Sequence, residues 1–413
     1  MQNWRIKLSL FINYFVFAIL LNSSGIAILQ AQNNFGVNKQ AAAWIDPCKD
    51  LSIALVSFLV SAFITRFGYK RAMLVALGTI AVVCCIIPNV PSFFAVKLLF
   101  VAIGACFALI KMSVYSTIGI VTKDANSHIS LMNFIEAFFM IGNLTLYFIF
   151  SSFVDDANPQ STAWLNAYYL LGGLSLAAFV LLLGAPLDES AAKGGAQPLA
   201  AEFADMIRLL AKPIVLTFIL SAFFYVLIEQ GIQNFLPTFN NKVLHLPTSL
   251  SIQMGSILAV STAVGRFLTG ILLKKLNWFV VLICCLVMAT LLVFVALPMA
   301  KEVQGRTFTG WGDAPLAAFV FPLIGLFLAP VYPSINSAIL VSLPKPKHGF
   351  MSGLIIIFSA IGGTVGSVLM GFVFDADKTV GQQAFYFSLI PIGILVVCLF
   401  LFRRLQSRVK ANA

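Results

Sequence analysis

Long apolar runs recur along the whole 413-residue chain and are separated by short polar stretches. A run of about 20 apolar residues lets a helix cross the roughly 30 Å hydrocarbon core of a bilayer. The runs lack the strict alternation of apolar and polar residues that membrane-spanning β-strands show. The pattern therefore predicts an all-α membrane protein. Twelve spans are expected, at residues 8–30, 48–66, 72–90, 93–121, 129–151, 164–184, 213–237, 250–273, 278–298, 314–342, 349–374 and 381–402.

One segment near the middle of the chain breaks this pattern. Residues 188–212 are charged, rich in Ala and Gly, and interrupted by Pro198. Such a composition is typical of a linker. Because six predicted spans precede it and six follow, the sequence predicts an N-terminal bundle at 1–187 and a C-terminal bundle at 213–413.

The distribution of Lys and Arg predicts the orientation in the membrane. With both termini placed in the cytoplasm, 17 of the 26 basic residues fall at cytoplasmic ends of spans. Cytoplasmic loops carry such an excess in membrane proteins. The net charge of +11 is then mostly an orientation signal and not a nucleic-acid footprint. Six basic residues fall on the outer side: Lys39, Lys49, Lys242, Lys301, Arg306 and Lys378.

The composition argues against an enzyme. The chain is 60% hydrophobic and 10% charged, with a mean hydropathy of +0.97. The seven cysteines form no disulfide framework and no metal-ligand spacing. A phosphate-binding glycine loop with a lysine and a nucleophile elbow are both missing from the sequence. We therefore expect no catalytic residue, no metal and no cofactor.

Two short motifs lie at equivalent places in the two halves. SAFITRFGYKRAM at 61–73 follows the second span, and TGILLKKLNWF at 269–279 follows the eighth. This arrangement resembles the major facilitator superfamily, whose signature at this turn is Gly-x-x-x-Asp-Arg-x-Gly-x-Lys/Arg. The residues that match this gating motif are Arg66, Gly68, Lys70 and Arg71, whereas Ser61 replaces the glycine and Thr65 the aspartate.

The second half also resembles the fucose/hexose–proton symporter family. The segments that carry this resemblance are FFYVLIEQGIQNFLPTF, AVGRFLTGILLKKL, FLAPVYPSINSAIL and SGLIIIFSAIGGTVGSVLMGFVFD. The resemblance implies twelve helices in two six-helix bundles, cytoplasmic termini, and solute transport by alternating access about a central site. The first half departs from that family, because Gly25 and Ala108 stand where its members carry acids. Fucose and the usual proton site are therefore not expected.

Four charged residues within the predicted spans are candidates for binding or coupling: Lys111, Glu136, Glu229 and Arg266. Such residues usually face a cavity or a charged partner. At 1.5 Å per residue, Lys111 and Glu136 differ in depth by about 5 Å, which predicts an ion pair. The corresponding difference between Glu229 and Arg266 is about 13 Å, which predicts that these two do not pair.

Polar residues extend the candidate site. Glu229 and Gln233 are one helical turn apart, and so are Gln230 and Asn234, so the seventh span presents a polar stripe. A stripe of this kind indicates either a water-accessible central cavity or hydrogen bonds between helices. Further residues with the same two interpretations are Asn22, Gln30, Tyr115, Tyr332 and Asn336.

Proline and glycine predict local features of two later spans. Pro330 and Pro333 lie within the tenth span, where proline kinks or breaks a helix. The eleventh span carries small residues that permit close approach of another helix. They are Gly353, Gly362, Gly363, Gly366 and Gly371.

These patterns together predict a secondary active transporter. It would import a small polar or anionic solute of the sugar, carboxylate, amino acid or peptide class, coupled to protons at Glu136 or Glu229. An uncoupled facilitator or an efflux pump of the same fold is the alternative. The expected partners are the solute, protons and the lipid bilayer, and no nucleic acid. The protein is expected to be a monomer in a cell membrane, namely the inner membrane of a bacterium. A non-transporting receptor is disfavoured, because it would need a large soluble domain.

The predicted pair between Lys111 and Glu136 is testable by a double-mutant cycle. Replacing one partner leaves the other charge buried alone, which costs about 3–5 kcal/mol for a buried pair. We therefore expect Lys111→Met and Glu136→Gln each to lower the unfolding temperature of the purified protein. The double variant should lose less than the sum of the two. Strictly additive losses would show that the two residues do not interact.

Overall fold

The computed structural model describes residues 4–61, 64–121, 125–189, 208, 210–272, 276–300, 308–341, 348–376 and 384–411. Within this part of the chain every regular element is a helix. Each of the twelve predicted spans overlaps at least one helix. Ten helical stretches in the described residues are long and apolar enough to cross a membrane. The predicted linker at 188–212 lies almost wholly outside the described residues.

Two compact units make up the chain. One contains Met1–Val37 and Ile45–Pro198, and the other contains Asn38–Trp44 and Leu199–Ala413. The helices of the first unit are α1 (Trp4–Asn22), α2 (Ser24–Asn34), α4 (Ile45–Ser61), α5 (Ile64–Phe67), α6 (Tyr69–Ile86), α7 (Phe93–Val121), α8 (Ala125–Ser152) and α9 (Ala167–Leu183).

The second unit begins with a short helix, α3 (Lys39–Ala43), that precedes α4 in the sequence. Its other helices are α10 (Pro213–Lys242), α11 (Thr248–Gln253), α12 (Gly255–Leu272), α13 (Trp278–Met299), α14 (Leu316–Val320), α15 (Ile324–Leu328), α16 (Val331–Val341), α17 (His348–Ala376) and α18 (Leu389–Ala411).

The same helix pairs form in each unit. In the first unit, α1 packs against α8 and α9, and α4 packs against α7. In the second unit, α10 packs against α17 and α18, and α12 packs against α15. Counted as spans, the pairs of the first unit are span 1 with span 5, span 1 with span 6, and span 2 with span 4. The pairs of the second unit are span 7 with span 11, span 7 with span 12, and span 8 with span 10, which is the same pattern shifted by six spans. The internal duplication expected from the sequence therefore appears in the packing.

Glycine sets the spacing of these pairs. A Cβ at Gly104 of α7 would lie 2.2 Å from the carbonyl oxygen of Lys49 in α4. A Cβ at Gly366 of α17 would lie 2.2 Å from the carbonyl oxygen of Leu227 in α10. Only glycine lets two helix backbones approach so closely, which is a common way to pack helices in membranes. Gly142, Gly265 and Gly362 make the same kind of backbone contact.

Several predicted spans are interrupted in the described residues. The first ends α1 at Asn22 and resumes as α2 at Ser24. The eighth ends α11 at Gln253 and resumes as α12 at Gly255. The tenth ends α15 at Leu328 and resumes as α16 at Val331, with Ala329 and Pro330 between them. The break at Pro330 agrees with the expected effect of proline, which lacks an N–H and clashes with the preceding turn.

Helix α3 is held against the end of α17 by one carboxylate. Asp375 accepts hydrogen bonds from the backbone N–H of Lys39 (3.0 Å) and of Gln40 (2.8 Å). The Lys39 Nζ donates to the carbonyl oxygen of Phe374 at 2.9 Å. Asn38 caps the same short helix by accepting from the N–H of Ala41 at 2.7 Å. These bonds explain why α3 belongs to the second unit.

The close contact between α10 and α17 gives a testable prediction. Gly366→Ala places a methyl group against the carbonyl oxygen of Leu227, and such overpacking typically costs about 1–3 kcal/mol. We expect this variant to unfold at a lower temperature than the wild type in detergent. Gly393→Ala is the matched control, because a Cβ there meets nothing within 4 Å. Equal behaviour of the two variants would mean that the backbone contact does not limit stability.

Candidate functional site

Glu229 lies in the middle of α10 with a buried tyrosine one turn before it. The hydroxyl of Tyr225 donates a hydrogen bond to Glu229 Oε1 at 2.7 Å. Tyr225 is fully buried, whereas the Glu229 side chain is 25% exposed. This hydrogen bond holds the Glu229 carboxylate in one orientation. The Glu229 carboxylate is therefore held by Tyr225 on one side, and part of its surface on the other side is not covered by the protein.

The sequence-based rejection of a Glu229–Arg266 pair is wrong. Arg266 Nη2 of α12 lies 3.9 Å from Glu229 Oε1, within the distance of an ion pair. The prediction compared depths along the two helices and assumed that both begin at the same level. It also ignored the length of the arginine side chain, whose head can lie far along the membrane normal from its own Cα. The Arg266 side chain is 40% exposed.

Two further helices complete this group in the second unit. The rings of Tyr225 and Tyr332 stack with centroids 5.5 Å apart, and Tyr332 belongs to α16 just beyond the break at Pro330. The hydroxyl of Tyr332 lies 2.9 Å from Ser359 Oγ in α17. Asn336, one turn further along α16, contributes a side-chain hydrogen bond to Tyr332. Its Oδ1 is buried with no hydrogen-bond partner among the described residues.

The predicted polar stripe of α10 divides into two parts. Glu229, Gln230 and Gln233 are partly exposed. Asn234 is buried, and its amide nitrogen donates to Ser367 Oγ of α17 at 3.3 Å. Asn234 therefore joins two helices, whereas the first three residues keep part of their surface uncovered by the protein.

Lys111 and Tyr115 lie together in the first unit. Lys111 Nζ is 5.8 Å from the ring centroid of Phe107 and 6.0 Å from that of Tyr115. Ring faces attract cations at such distances. The Tyr115 ring also packs against Tyr14, with centroids 6.1 Å apart. The side chain of Glu136 is outside the described part of the structure, so its pairing with Lys111 stays a prediction.

The two amides of the first span have different surroundings. Asn22, at the end of α1, donates to the carbonyl oxygen of Ala18 in its own helix at 2.8 Å. Gln30 of α2 is buried, and its Nε2 has no hydrogen-bond partner among the described residues. An unsatisfied buried amide is uncommon and calls for an explanation such as a ligand or water. A role for both residues at a solute site stays a prediction.

Lys49 is one of the six basic residues that the sequence assigns to the outer side of the membrane, at the start of the second span. In the structure it is buried in α4, with its Nζ 2.7 Å from Asp46 Oδ1 and 3.6 Å from Asp50 Oδ1. The sequence carried one signal for this group of charges, which is that three charged residues lie within five positions at the boundary of a span. The sequence candidates also omitted Tyr225 and Ser359.

The gating motif forms a tight turn between α5 and α6. Gly68 has φ of 96°, which other residues rarely adopt. Lys70 Nζ donates to the carbonyl oxygens of Leu183 (3.1 Å) and Ala185 (2.7 Å) at the end of α9. The backbone N–H of Lys70 donates to Glu189 Oε1 at 2.6 Å. Arg71 is exposed, and the side chain of Arg66 lies outside the described residues.

The hydrogen bonds of Glu189 and of the Lys70 side chain place opposite charges at opposite helix ends. The Glu189 carboxylate lies at the N-terminus of α6, and the Lys70 ammonium lies at the C-terminus of α9. Both positions are favoured by the helix dipole. The motif lacks its usual aspartate at Thr65, and Glu189 supplies an acid to this turn from the end of the sixth span.

A sequence profile described as Major Facilitator Superfamily matches residues 9–367. The chain belongs to the major facilitator superfamily. It is therefore a multi-pass membrane protein of a transporter family, as the resemblance in its gating motif implied. Among curated proteins, no sequence matches it significantly.

Solved structures of this superfamily share the fold at low sequence identity. A bacterial homologue of the human lysosomal transporter Spinster, inward-facing and occupied, has a TM-score of 0.77 at 14% identity over 98% of each chain. A D-xylose–proton symporter has a TM-score of 0.73 at 13% identity over 97% of each chain. The nucleoside transporter NupG has a TM-score of 0.71 at 16% identity, covering 96% of this chain and 98% of its own.

The turn of this major facilitator protein gives a testable prediction at Glu189. Glu189→Ala removes the acceptor at the start of α6, and loss of such a cap costs about 0.5–2 kcal/mol. Glu189→Gln keeps an acceptor oxygen and loses only the charge at the helix dipole, worth about 0.3–1 kcal/mol. We expect unfolding temperatures in the order wild type, Gln variant, Ala variant. Identical values for all three would remove the capping role of Glu189.

Proposed function

We propose that the protein is a secondary active transporter that imports a small polar or anionic solute together with protons. The observation that carries the proposal is the loose pair between Glu229 and Arg266, 3.9 Å apart and partly exposed within apolar helices. Membership of the superfamily supports transport, and one structural neighbour is a sugar–proton symporter.

Arg266 is the proposed anchor for the solute. A guanidinium presents five donors in a planar fork that fits a carboxylate or a phosphate in a bidentate manner. The Nη2–Oε1 distance of 3.9 Å to Glu229 is longer than a direct hydrogen bond. Partly exposed ion pairs contribute only about 0–1 kcal/mol, so an anionic group of a solute can displace Glu229 at little cost.

Glu229 is the proposed proton acceptor. When the solute occupies Arg266, the Glu229 carboxylate loses its countercharge among apolar side chains. An unpaired charge in such surroundings is costly, and a proton from the aqueous phase that binds to a carboxylate oxygen removes it. Solute and proton then bind together, which is the requirement for symport. Glu136 is the second carboxylate that could take this role.

Neutral parts of a solute would bind through the surrounding polar side chains. Tyr332, Gln230, Gln233 and the unsatisfied Oδ1 of Asn336 are all on helices that meet at this group. Together they offer donors and acceptors for hydroxyl, amide or ammonium groups. We include Lys111, Tyr115, Asn22 and Gln30 of the first unit as further binding residues.

The finer topology belongs to the same proposal. We infer twelve spans with both termini in the cytoplasm, in halves 1–187 and 213–413 joined by the linker 188–212. The excess of basic residues at the assigned cytoplasmic ends supports this orientation. Alternating access by a monomer in a bacterial inner membrane completes the proposal.

A transport screen in proteoliposomes tests the function. The purified protein is reconstituted and offered sugars, carboxylates, amino acids and peptides, with and without an inward proton gradient. We expect accumulation of one solute class only with the gradient. Accumulation that ignores the gradient would identify an uncoupled facilitator, and gradient-driven export would identify an efflux pump.

Variants then assign the two roles. Arg266→Ala should weaken binding of an anionic solute about ten- to a hundredfold, since a hydrogen bond to a charged group is worth about 1.5–3 kcal/mol. Arg404→Ala is the control, because it removes an exposed arginine of the same unit.

Glu229→Gln should exchange solute down its gradient and lose accumulation. If Glu229→Gln accumulates solute with unchanged pH dependence, the proton acceptor is elsewhere, and Glu136 is tested next.

A further inference from the structure

Three charged side chains lie buried together at the start of α4. Lys49 Nζ is 2.7 Å from Asp46 Oδ1 and 3.6 Å from Asp50 Oδ1. Ser24 Oγ of α2 accepts a hydrogen bond from the same Nζ at 3.4 Å. Asp46 is 0% exposed and Lys49 is 3% exposed. These three residues form what we term the α4 charge cluster, and bulk water does not reach its centre.

The charges of the cluster do not cancel when all three residues are ionised. Two carboxylates and one ammonium leave one negative charge in excess. A buried charge without a partner is costly, and such groups neutralise instead. The Lys49 ammonium already occupies the space near both carboxylates that a metal cation would need. A proton is the cation that can still be added.

Neighbouring helices bring few groups that could neutralise the excess charge. α4 packs against α7 and α2, and α2 carries no titratable residue in its sequence. The titratable residues of α7 are Lys97, Cys106, Lys111 and Tyr115. Lys97 Nζ lies 4.8 Å from the Phe93 ring and acts electrostatically on Cys48, and Lys111 lies over Phe107 and Tyr115. The charges that act on Asp50 are those of Lys49 and Asp46.

The Asp46 carboxylate also lacks hydrogen-bond donors. Both of its oxygens are buried without a hydrogen-bond partner among the described residues, although the Lys49 ammonium lies 2.7 Å from Oδ1 as an ion-pair partner. Asp50 is four residues further along α4, so both carboxyl groups lie on one face of the helix. A protonated carboxyl group is a donor, whereas an ionised one only accepts. A proton on Asp50 would therefore remove the excess charge and supply a donor next to Asp46.

We propose that the α4 charge cluster binds one exchangeable proton and that Asp50 is its acceptor. Asp50 is farther from Lys49 than Asp46 is, and its side chain is 11% exposed where that of Asp46 is 0% exposed. Asp46 thus forms the ion pair with Lys49, and Asp50 is the carboxylate that a proton from water reaches. This site is separate from Glu229, and the inference does not depend on the proposed function.

Release of this proton is linked to the packing of α4. The backbones of α4 and α7 are in direct contact, since a Cβ at Gly104 would lie 2.2 Å from the carbonyl oxygen of Lys49. Asp46 and Lys49 are almost fully buried, so solvent can surround these two charges only if the first turns of α4 separate from α7 or α2. Proton release therefore favours an opened arrangement of these helices, and proton binding favours the packed one.

Infrared difference spectroscopy of the purified full-length protein without solute tests proton binding directly. Between acidic and alkaline pH, the wild type should lose a carbonyl band of a protonated carboxylic acid. Asp50→Asn and Asp46→Asn should each remove that band, because the one remaining carboxylate pairs with Lys49 and stays ionised. Asp155→Asn, which replaces an exposed acid, should leave the band unchanged. Persistence of the full band in both cluster variants would overturn the proposal.

Stability provides a second readout with the same variants. The folded wild type holds a proton that the unfolded chain gives up, so more protons are bound in the folded state. Its unfolding temperature should therefore fall as pH rises through the titration of the cluster. Each single Asn variant should keep close to the wild-type unfolding temperature at neutral pH and lose this fall. The double variant Asp46→Asn with Asp50→Asn leaves Lys49 buried alone and should unfold at a clearly lower temperature. Single variants as unstable as the double, or unable to fold, would show that both carboxylates are ionised and would overturn the proposal.

Discussion

Buried charge is the constraint on which the rest of this structure depends. Lipid tails are as apolar as leucine side chains, so apolar contact alone gives two helices little reason to associate in a membrane. A charged group within a helix does require a partner, because an unpaired ion in hydrocarbon is costly. Glu229 and Arg266 join α10 to α12, and Lys49 joins α4 to Ser24 of α2. The charged residues thereby help to determine which helices are neighbours.

Glycine allows other helix pairs to pack closely. Gly104 brings the fourth span against the second, and Gly265 brings the eighth against the tenth. Equivalent helix pairs in the two units are thus joined by the same device. Van der Waals contact between backbones supplies the association energy that the hydrophobic effect supplies in water. Charged contacts thus join some helix pairs, and glycine brings other pairs into backbone contact.

The sequence predicted the helices well because a membrane span leaves a strong signal of length and hydropathy. It also predicted the break at Pro330, since proline acts locally. It did not indicate that residues 39–43 pack with the second unit, because that contact depends on Asp375, more than 300 residues away in the sequence.

Glu229 was identified as a candidate for a local reason, its position in an apolar run. Its contact with Arg266 was rejected because helix-axis depth does not determine where a long side chain ends. The Asp46–Lys49–Asp50 group was missed because hydropathy placed it at a boundary, and only tertiary packing shows that it is buried.

The two charged groups differ in a way that separates their chemistry. Glu229 and Arg266 are 3.9 Å apart and partly exposed, and the proposed exchange of partners with a solute depends on both properties. Asp46 and Lys49 are 2.7 Å apart and buried, so no solute can compete for them without moving a helix. A small ion that needs no binding pocket is the one species that such a closed group can still accept. Exposure and distance together are thus the basis for the two proposed roles, solute binding at one group and proton binding at the other.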